Sequence, residues 1–236
     1  MISEIFHENK GRYGYRRITA ELHNRDYCVN HKTVQRLMKE LSLKSAVRIK
    51  KYRSYKGEVG KIAPNLLERN FTATRPNEKW VTDVTQFSLF GQKIYLSPIL
   101  DLYNSEVVSY SISYHPRFSS IAEMLNKAFG KIPDNTNLIL HSDQGWQYQM
   151  KFYQRLLQAK GIRQSMSRKG NCLDNAVMEN FFGILKSELL YLQEFSSIDE
   201  FIQELHDYLT YYNERRIKLK LKGMSPVGYR THSYAA

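Results

Sequence analysis

The central stretch of the chain is Lys79–Phe90, with the sequence KWVTDVTQFSLF. Its Val, Thr and Phe residues favour a β-strand, and Gly91 predicts a turn directly after it. Two further strands are predicted at Lys93–Leu102 and Glu106–Ser113, so the three strands form an antiparallel meander. Asp83 lies inside the first of these apolar strands, where burial of an unpartnered carboxylate is costly.

Beyond the meander, strands and helices alternate along the chain. Helical spacing of apolar residues predicts helices over Ser119–Phe129 and Lys151–Lys160, with short strands at Asn137–Ser142 and Ile162–Ser167. A long helix is predicted over about Asn175–Leu190, and another follows a capping box that begins at Ser197. The order of elements predicts an α/β fold, in which a mixed five-stranded sheet is flanked by helices.

Residues 1–43 form a separate, helical region. Two helices, Arg16–Arg25 and His31–Leu41, are predicted around a five-residue turn, and Asn30 is the expected N-cap of the second. This arrangement is typical of a helix-turn-helix, but an ordinary helical hairpin with a basic outer face fits equally well. The predicted DNA contacts on the second helix are His31, Lys32, Gln35, Arg36 and Lys39.

Positive charge is abundant over the whole chain. It has 35 Lys and Arg residues and 23 Asp and Glu residues, which gives a formal net charge of +12. This surplus indicates a polyanionic partner such as DNA or RNA. A basic linker is predicted at residues 44–70, and residues 193–236 are predicted to add a C-terminal helix and a basic strand or extended arm that complete the core. The predicted phosphate contacts in these segments are Arg48, Lys50, Lys51, Arg53, Lys218, Lys220 and Lys222.

Composition also excludes several classes of protein. Two cysteines are too few for a disulfide scaffold or a four-thiolate zinc site. No apolar run reaches the length of a membrane span, and the N-terminus lacks the pattern of a signal peptide. We therefore expect a reduced, cytoplasmic protein with no membrane partner.

Three carboxylates stand in apolar surroundings: Asp83, Asp143 at the end of a strand, and Glu179 in an apolar helix. Taken singly, each is best explained as a cap or a paired structural charge. Brought together, they would repel one another unless a divalent ion neutralised them, and hard oxygen ligands suit Mg²⁺ or Mn²⁺.

The spacing around Glu179 adds to this prediction. It follows Asp143 with 35 residues between them, and helical geometry sets Asn175 and Lys186 on its own face of the helix. Glu188 falls on the opposite side and is interpreted as a solvated charge. His141 shares a strand face with Asp143, so it is either a second contact of the site or a structural histidine.

Long motifs in this sequence resemble bacterial insertion-sequence transposases of the IS3 family, within the retroviral-integrase superfamily. The motifs are Gly11–Ile18 (GRYGYRRI), Asn77–Asp83 (NEKWVTD), His141–Tyr148 (HSDQGWQY), Ser167–Phe182 (SRKGNCLDNAVMENFF) and Tyr211–Arg216 (YYNERR). The resemblance implies a ribonuclease-H-like catalytic core, placed at residues 71–192. It also implies that Asp83, Asp143 and Glu179 are the DDE metal ligands and that Lys186 contacts the DNA end.

The implied activity is Mg²⁺-dependent cleavage of the 3′ ends of an element, followed by transfer of those strands into target DNA. Two Mg²⁺ ions would serve, with Mn²⁺ able to substitute, and Lys186 and Asn175 would steer the scissile phosphate. Trp146 and Tyr148 either stack on an unpaired base or pack in the core.

The resemblance also implies partners: element-end and target DNA, further copies of the chain in the synaptic complex, and a helix-turn-helix protein from an upstream reading frame. The setting would be the nucleoid of a bacterial cytoplasm. Since only ten residues precede Gly11, a shortened catalytic subunit is expected. Two alternatives remain, a non-catalytic DNA-binding repressor derived from a truncated transposase and a structure-specific nuclease of the same fold.

Overall fold

The computed structural model describes residues 1–45 and 62–235. Its contacts group these residues into two compact units. One unit comprises residues 1–45, 184–195 and 203–235, and the other comprises residues 62–183 and 196–202. The predicted DNA contacts at Arg48, Lys50, Lys51 and Arg53 lie outside the described residues.

The sheet belongs to the unit of residues 62–183. Its strands in the described chain are β1 (Lys79–Thr82), β2 (Thr85–Leu89), β3 (Gln92–Asp101), β4 (Val107–Ser113), β5 (Ile139–Ser142) and β6 (Arg163–Met166). The predicted strand Lys79–Phe90 breaks at Asp83 and Val84, and both halves pair with one edge of β3. The described sheet therefore has six strands rather than the predicted five, because the predicted first strand is divided into β1 and β2. These two strands share one edge of β3, so the six strands occupy five positions, in the order β4, β3, β1/β2, β5 and β6.

Strand direction fixes which ends of the strands meet. β1 runs antiparallel to β3 but parallel to β5, and β5 runs parallel to β6, so the sheet is mixed as predicted. The carboxyl ends of β1, β5 and β6 consequently lie at one edge of the sheet. All four residues of β5 are buried, as expected for a central parallel strand.

The α-helices of the described residues are α1 (Ile2–Glu8), α2 (Tyr15–Asn24), α3 (His31–Glu40), α4 (Phe118–Phe129), α5 (Trp146–Gln149), α6 (Lys151–Lys160), α7 (Ala176–Leu185), α8 (Ile198–Glu214) and α9 (Pro226–Ala235). None of them is long and apolar enough to cross a lipid bilayer. The predicted apolar face of α4 is buried in the core together with Trp80 and Leu140 of the sheet and Leu157 of α6.

The long helix predicted over Asn175–Leu190 is divided into three parts. A 3₁₀ turn at Cys172–Asn175 leads into α7, and a π-helical segment, Lys186–Leu190, follows. A π turn holds one more residue than an α turn, so it changes which side chains face inward. Glu188 is one of the residues that this segment buries.

The prediction that Glu188 is a solvated charge is wrong. Its side chain is only 9% exposed and accepts hydrogen bonds from Arg216 (Nε, 2.7 Å; Nη2, 2.7 Å), Arg17 (Nη1, 3.1 Å) and the Tyr208 hydroxyl (3.0 Å). Its backbone carbonyl accepts from Arg12 Nε at 2.9 Å. These residues come from distant parts of the chain, so the buried carboxylate ties the N-terminal helices to the π segment and to α8.

The two helices predicted in the N-terminal region are present as α2 and α3. Asn30 is the N-cap of α3, and its side chain accepts a hydrogen bond from the backbone N–H of Lys32 at 2.8 Å. Val34 and Met38 are buried, whereas Leu41 is half exposed and follows the last residue of α3.

The basic strand or extended arm expected within residues 193–236 is absent from the described structure. A 3₁₀ turn at Leu219–Leu221 is closed by an isolated bridge between Lys218 and Met224. Lys222, at φ 55°, and Gly223, at φ 79°, reverse the chain there, so no strand continues. Residues 203–235 group with residues 1–45, and their role in completing the catalytic core stays a prediction.

Residues 62–70, the last part of the predicted basic linker, are mostly exposed but are anchored to β6 by hydrogen bonds. The Pro64 carbonyl accepts from the backbone N–H of Met166 at 3.2 Å, the Leu66 N–H donates to Ser165 Oγ at 2.8 Å, and Leu67 is buried. This segment therefore runs along β6 as part of the sheet unit.

Candidate active site

Asp83 and Asp143 follow the ends of two neighbouring parallel strands. Val81 of β1 pairs with His141 of β5, and continuing this register by two residues sets Asp83 beside Asp143. Adjacent strands are about 4.8 Å apart, so the structure brings these two predicted residues together. Both carboxylates lie at the carboxyl edge of the sheet.

Asn175 links this pair to the helix that carries Glu179. Its Nδ2 donates to Asp83 Oδ2 at 2.8 Å, and Asp83 Oδ1 accepts from the backbone N–H of Val84 at 2.7 Å. Glu179 follows Asn175 by four residues, about one helical turn, and so lies on the same side of the helix. The three predicted carboxylates thus converge on one edge of the sheet.

The charges in this cluster act on one another. Burial raises the pKa of Asp83 well above its ordinary value, and the negative charges of Asp143 and Glu179 raise it further. Burial also raises the pKa of Asp143. A set of carboxylates that resist ionisation together has a strong tendency to take up protons or a cation.

Gly145 fixes the direction of the Asp143 side chain. Its backbone N–H donates to Asp143 Oδ1 at 2.8 Å. A Cβ atom at position 145 would stand 2.9 Å from that same oxygen and 2.6 Å from Gln147 Nε2. The absence of a side chain at Gly145 therefore allows the loop to pass close behind the carboxylate.

His141 is a structural histidine that contacts the residues on which the site is built. Its Nε2 lies 3.1 Å from the carbonyl oxygen of Asp174, which can only accept, so Nε2 carries the proton. Nδ1 then accepts from the Ser165 hydroxyl at 2.8 Å. Burial lowers the pKa of His141 to about 4, and the neutral ring holds the residue next to Asn175 in place.

The chemistry of these donors fits a hard divalent cation. Besides the three carboxylates, Asn175 Oδ1 is buried and accepts no hydrogen bond from the described residues. Carboxylate and amide oxygens are the ligands that Mg²⁺ and Mn²⁺ prefer. In residues 1–45 and 62–235, no group of three or more His, Cys, Asp or Glu side chains is arranged so that it could hold a metal ion, so the fit rests on donor type, charge and placement.

Comparison with known proteins gives the family. Two family models described as an integrase core domain match residues 73–172 and 179–234, and one described as an HTH-like domain matches residues 1–52. The InsK protein of insertion sequence element IS150 of Escherichia coli K12 is 60% identical over 99% of this chain and 82% of its own length. The transposase InsF of insertion sequence IS3A of the same organism is 33% identical over 100% of this chain and 82% of its own length. The chain belongs to the IS3 family of insertion-sequence transposases.

Solved structures show the fold of this transposase. The HTLV-2 integrase catalytic core domain in complex with magnesium has a TM-score of 0.51 at 16% identity, covering 66% of this chain and 98% of that one. A chain of a simian T-cell lymphotropic virus intasome has a TM-score of 0.53 at 20% identity, covering 84% and 69%. The transposase therefore has the integrase catalytic core fold, as expected. Together with the family models and the transposase relatives, this fold identifies a DDE polynucleotidyl transferase.

The DNA contacts predicted on α3 of the transposase all reach solvent. His31, Lys32, Gln35, Arg36 and Lys39 are exposed. Arg36 forms a salt bridge with Glu40 at 2.6 Å. Both residues lie on the exposed face of α3, so this face remains accessible to solvent. Their contact with DNA stays a prediction.

The other predicted DNA contacts differ from one another. Lys220 and Lys222 are exposed, but the ammonium of Lys218 donates to the Tyr212 hydroxyl at 2.6 Å, and burial lowers its pKa to about 7. Lys186 is half-buried at the start of the π segment, and burial lowers its pKa. Of the two predicted stacking residues, Trp146 is exposed and Tyr148 is fully buried.

Sequence reasoning missed Asp174 and the residues that surround it. Asp174 lies within the motif at Ser167–Phe182. The only signal in the sequence for a role of Asp174 was its position directly before Asn175. The structure shows a fully buried carboxylate that binds two arginines, a contact between segments that no local pattern predicts.

Proposed function

We propose that this transposase cuts DNA at the ends of its insertion sequence and joins the freed 3′ hydroxyl to target DNA. Asp83, Asp143 and Glu179 would hold the divalent cations, two Mg²⁺ or Mn²⁺ ions. The observation that carries this proposal is the placement of Asp83 beside Asp143, with each of two neighbouring charges raising the pKa of Asp83. Such an arrangement is unfavourable unless a cation compensates it.

The residues of the chain have distinct tasks in this mechanism. Asn175 Nδ2 and the Val84 N–H orient the Asp83 carboxylate, and the Gly145 N–H engages one oxygen of Asp143, so the other oxygen is left for a ligand. Divalent cations in such a site stabilise the attacking and leaving oxygens of an in-line displacement. Water and then a DNA 3′ hydroxyl act as nucleophiles, so no Ser, Tyr or Cys of the protein needs to attack.

The partners follow from this reaction. We propose that α3 contacts element-end DNA, that Lys186 and Asn175 approach the scissile phosphate, and that at least two copies of the chain assemble when the ends are paired. We further propose that the protein works on chromosomal DNA in the bacterial cytoplasm, and that a helix-turn-helix protein from an upstream reading frame contributes to end recognition.

A cleavage and joining assay tests the proposal. The substrate is a labelled duplex that carries the terminal sequence flanking the reading frame in its genome, incubated with Mg²⁺ or with EDTA. We expect Mg²⁺-dependent nicking and, with a pre-cut end, joining to a second duplex. Asp143→Asn and Glu179→Gln should each lower both activities at least about 100-fold while DNA binding persists.

The two alternatives give different results in the same assay. A repressor derived from a transposase would bind the duplex and leave it uncut with either additive. A structure-specific nuclease would nick the duplex but would never join the pre-cut end. Either outcome with the intact chain would contradict the proposed function.

A further inference from the structure

Asp174 is a buried carboxylate that holds two arginines. Its side chain is 0% exposed, and it accepts from Arg168 (Nε, 2.9 Å; Nη2, 2.9 Å; backbone N–H, 3.0 Å), from Arg69 Nε at 3.0 Å and from Asn65 Nδ2 at 3.1 Å. The bonded guanidinium of Arg168 holds the pKa of Asp174 well below its usual range, so the carboxylate stays ionised and the cluster stays assembled across the working pH range.

Both guanidinium groups also face solvent. The side chain of Arg168 is 57% exposed and that of Arg69 is 44% exposed. A guanidinium has five N–H donors in a planar fork. Asp174 takes two side-chain donors of Arg168 and one of Arg69, so the outer edge of each group points away from the carboxylate. The buried acid thus fixes two arginines in place while their outer donors reach the surface.

The pair lies at the edge of the sheet that carries the candidate active site. Arg168 follows the end of β6 by two residues, and Asp83 and Asp143 each follow the end of β1 or β5 by one; these three strands are parallel. Asp174 is also the chain neighbour of Asn175, whose amide bonds to Asp83. The loop between Arg168 and Asp174 contains Gly170, at φ 71° with open space around it, so a ligand can approach the backbone closely there.

We propose that Arg69 and Arg168, organised by Asp174, form a binding site for a phosphodiester of the substrate DNA next to the scissile phosphate. This inference rests on the proposed function. A planar guanidinium fork matches the oxygens of a phosphate, and an arginine whose side chain is already ordered loses less freedom when it binds. The cluster also has a net positive charge. Its basic residues are Arg69, Arg168 and Lys169, and its acidic residues are Asp174 and the nearby Glu68.

The test compares Arg168→Gln and Arg69→Gln with a matched control, Arg163→Gln. Arg163 is an exposed arginine at the opposite end of β6, far from the carboxyl edge. Binding to the labelled element-end duplex is measured by fluorescence anisotropy over a series of KCl concentrations. All variants carry Asp83→Asn as well, so that the DNA stays intact and binding is scored apart from catalysis.

We expect each Gln variant at the pair to bind about 3- to 10-fold more weakly and to lower the slope of log Kd against log salt by about 1. Arg163→Gln should leave the slope unchanged. Arg168→Lys keeps the charge but loses the fork, so it should retain the slope with intermediate affinity. If both Gln variants behave as the Arg163→Gln control does, the pair does not bind phosphate and the proposal is overturned.

Folding and substrate identity are resolved by two further arms. Arg69→Gln removes a single hydrogen bond and leaves Arg168 on Asp174, so it remains informative even where Arg168→Gln unfolds. The second arm measures nicking and joining with Asp83 restored. If the arginine pair binds element-end DNA, the Gln substitutions slow both nicking and joining. If the pair binds target DNA, they slow joining alone. A changed salt slope in a chain that never cuts DNA would support the phosphate site and count only against the proposed function.

Discussion

Asp83 is a buried carboxylate beside a second one, Asp143. The pKa shift that results affects both the stability and the activity of the protein. Its pKa is raised in the folded chain, so the folded state binds the proton more tightly than the unfolded state does. The stability that this proton supplies is present at low pH and is lost as pH rises through the folded pKa. Neutral pH lies above the ordinary pKa of an aspartate, so Asp83 destabilises the fold at neutral pH when no divalent ion is bound.

Asp83→Asn should consequently raise the Tm at pH 7 in EDTA while lowering cleavage at least about 100-fold. The new amide can donate to Asn175 Oδ1, which accepts no hydrogen bond from the described residues. Thermal unfolding and the nicking assay measure the two effects. Asp207→Asn, at an exposed position, should change stability by less than about 0.5 kcal/mol. A lower Tm for Asp83→Asn would refute the repulsion between the carboxylates.

The same pKa shifts predict how pH controls activation by metal. Protons and divalent cations compete for Asp83 and Asp143, so the Mg²⁺ concentration that gives half-maximal cleavage should fall as pH rises. Titrations at several pH values, at constant ionic strength, would measure this. A half-maximal concentration that does not vary with pH would show that these carboxylates are ionised throughout and do not compete.

His141 should remain neutral well below its ordinary pKa. Because its folded pKa is lowered to about 4, the unfolded chain binds more protons between pH 6.5 and 4. The stability from the neutral ring is therefore present above pH 6.5 and is lost as pH falls towards 4, by at most about 3 kcal/mol. NMR titration of the imidazole checks this, and a ring that titrates near 6.5 would contradict it.

At the residue scale, sequence identified the acids but not all their settings. Asp83, Asp143 and Glu179 were singled out because strand ends and apolar helices rarely carry unpaired charge, and the family motifs grouped them; their role as metal ligands stays a prediction. Glu188 was not, because its assignment to solvent assumed a regular α-helix with 3.6 residues per turn. Asp174 was not predicted either, since its partners Asn65 and Arg69 lie about a hundred residues earlier in the chain.

At the scale of elements, the π segment Lys186–Leu190 matters most. It continues from α7, which carries Glu179, and it turns Glu188 inward to Arg17 and Arg216. Sequence predicts helical character here correctly, but it cannot predict the π turn, because the energy that favours the turn comes from contacts with α2 and with the residues after α8. The break between β1 and β2 at Asp83 has a similar tertiary origin.

Glu188→Gln should destabilise the chain by about 3 kcal/mol, because Arg216, which is 2% exposed, would lose its ionised partner. The pKa of Glu188 is lowered, so the stability that the ionised group supplies is present above its ordinary pKa and is lost as pH falls through the folded value. Urea unfolding measures the change.

Glu123→Gln is the matched control for this variant. Glu123 forms an exposed salt bridge with Lys127, and such pairs contribute at most about 0.5 kcal/mol. Equal effects of the two substitutions would show that the buried cluster around Glu188 does not stabilise the chain.

At the scale of the whole molecule, the sheet was predictable and the grouping of segments was not. The order of strands and helices fixes a mixed sheet, since three strands in hairpins are followed by strands that alternate with helices. The association of residues 1–45 with 184–195 and 203–235 depends on contacts of Arg12 and Arg17 with Glu188 and of Tyr13 with Arg215. Only folding brings those side chains together.

The central claim is that the acidic cluster at the carboxyl edge of the sheet binds the divalent cations of catalysis. Anomalous diffraction from a crystal soaked in Mn²⁺ tests it most directly. We expect an anomalous peak about 2.0–2.3 Å from carboxylate oxygens of Asp83 and Asp143, and no such peak in Asp143→Asn crystals. Manganese bound only elsewhere on the molecule, with these oxygens left without it at saturating Mn²⁺, would contradict the account.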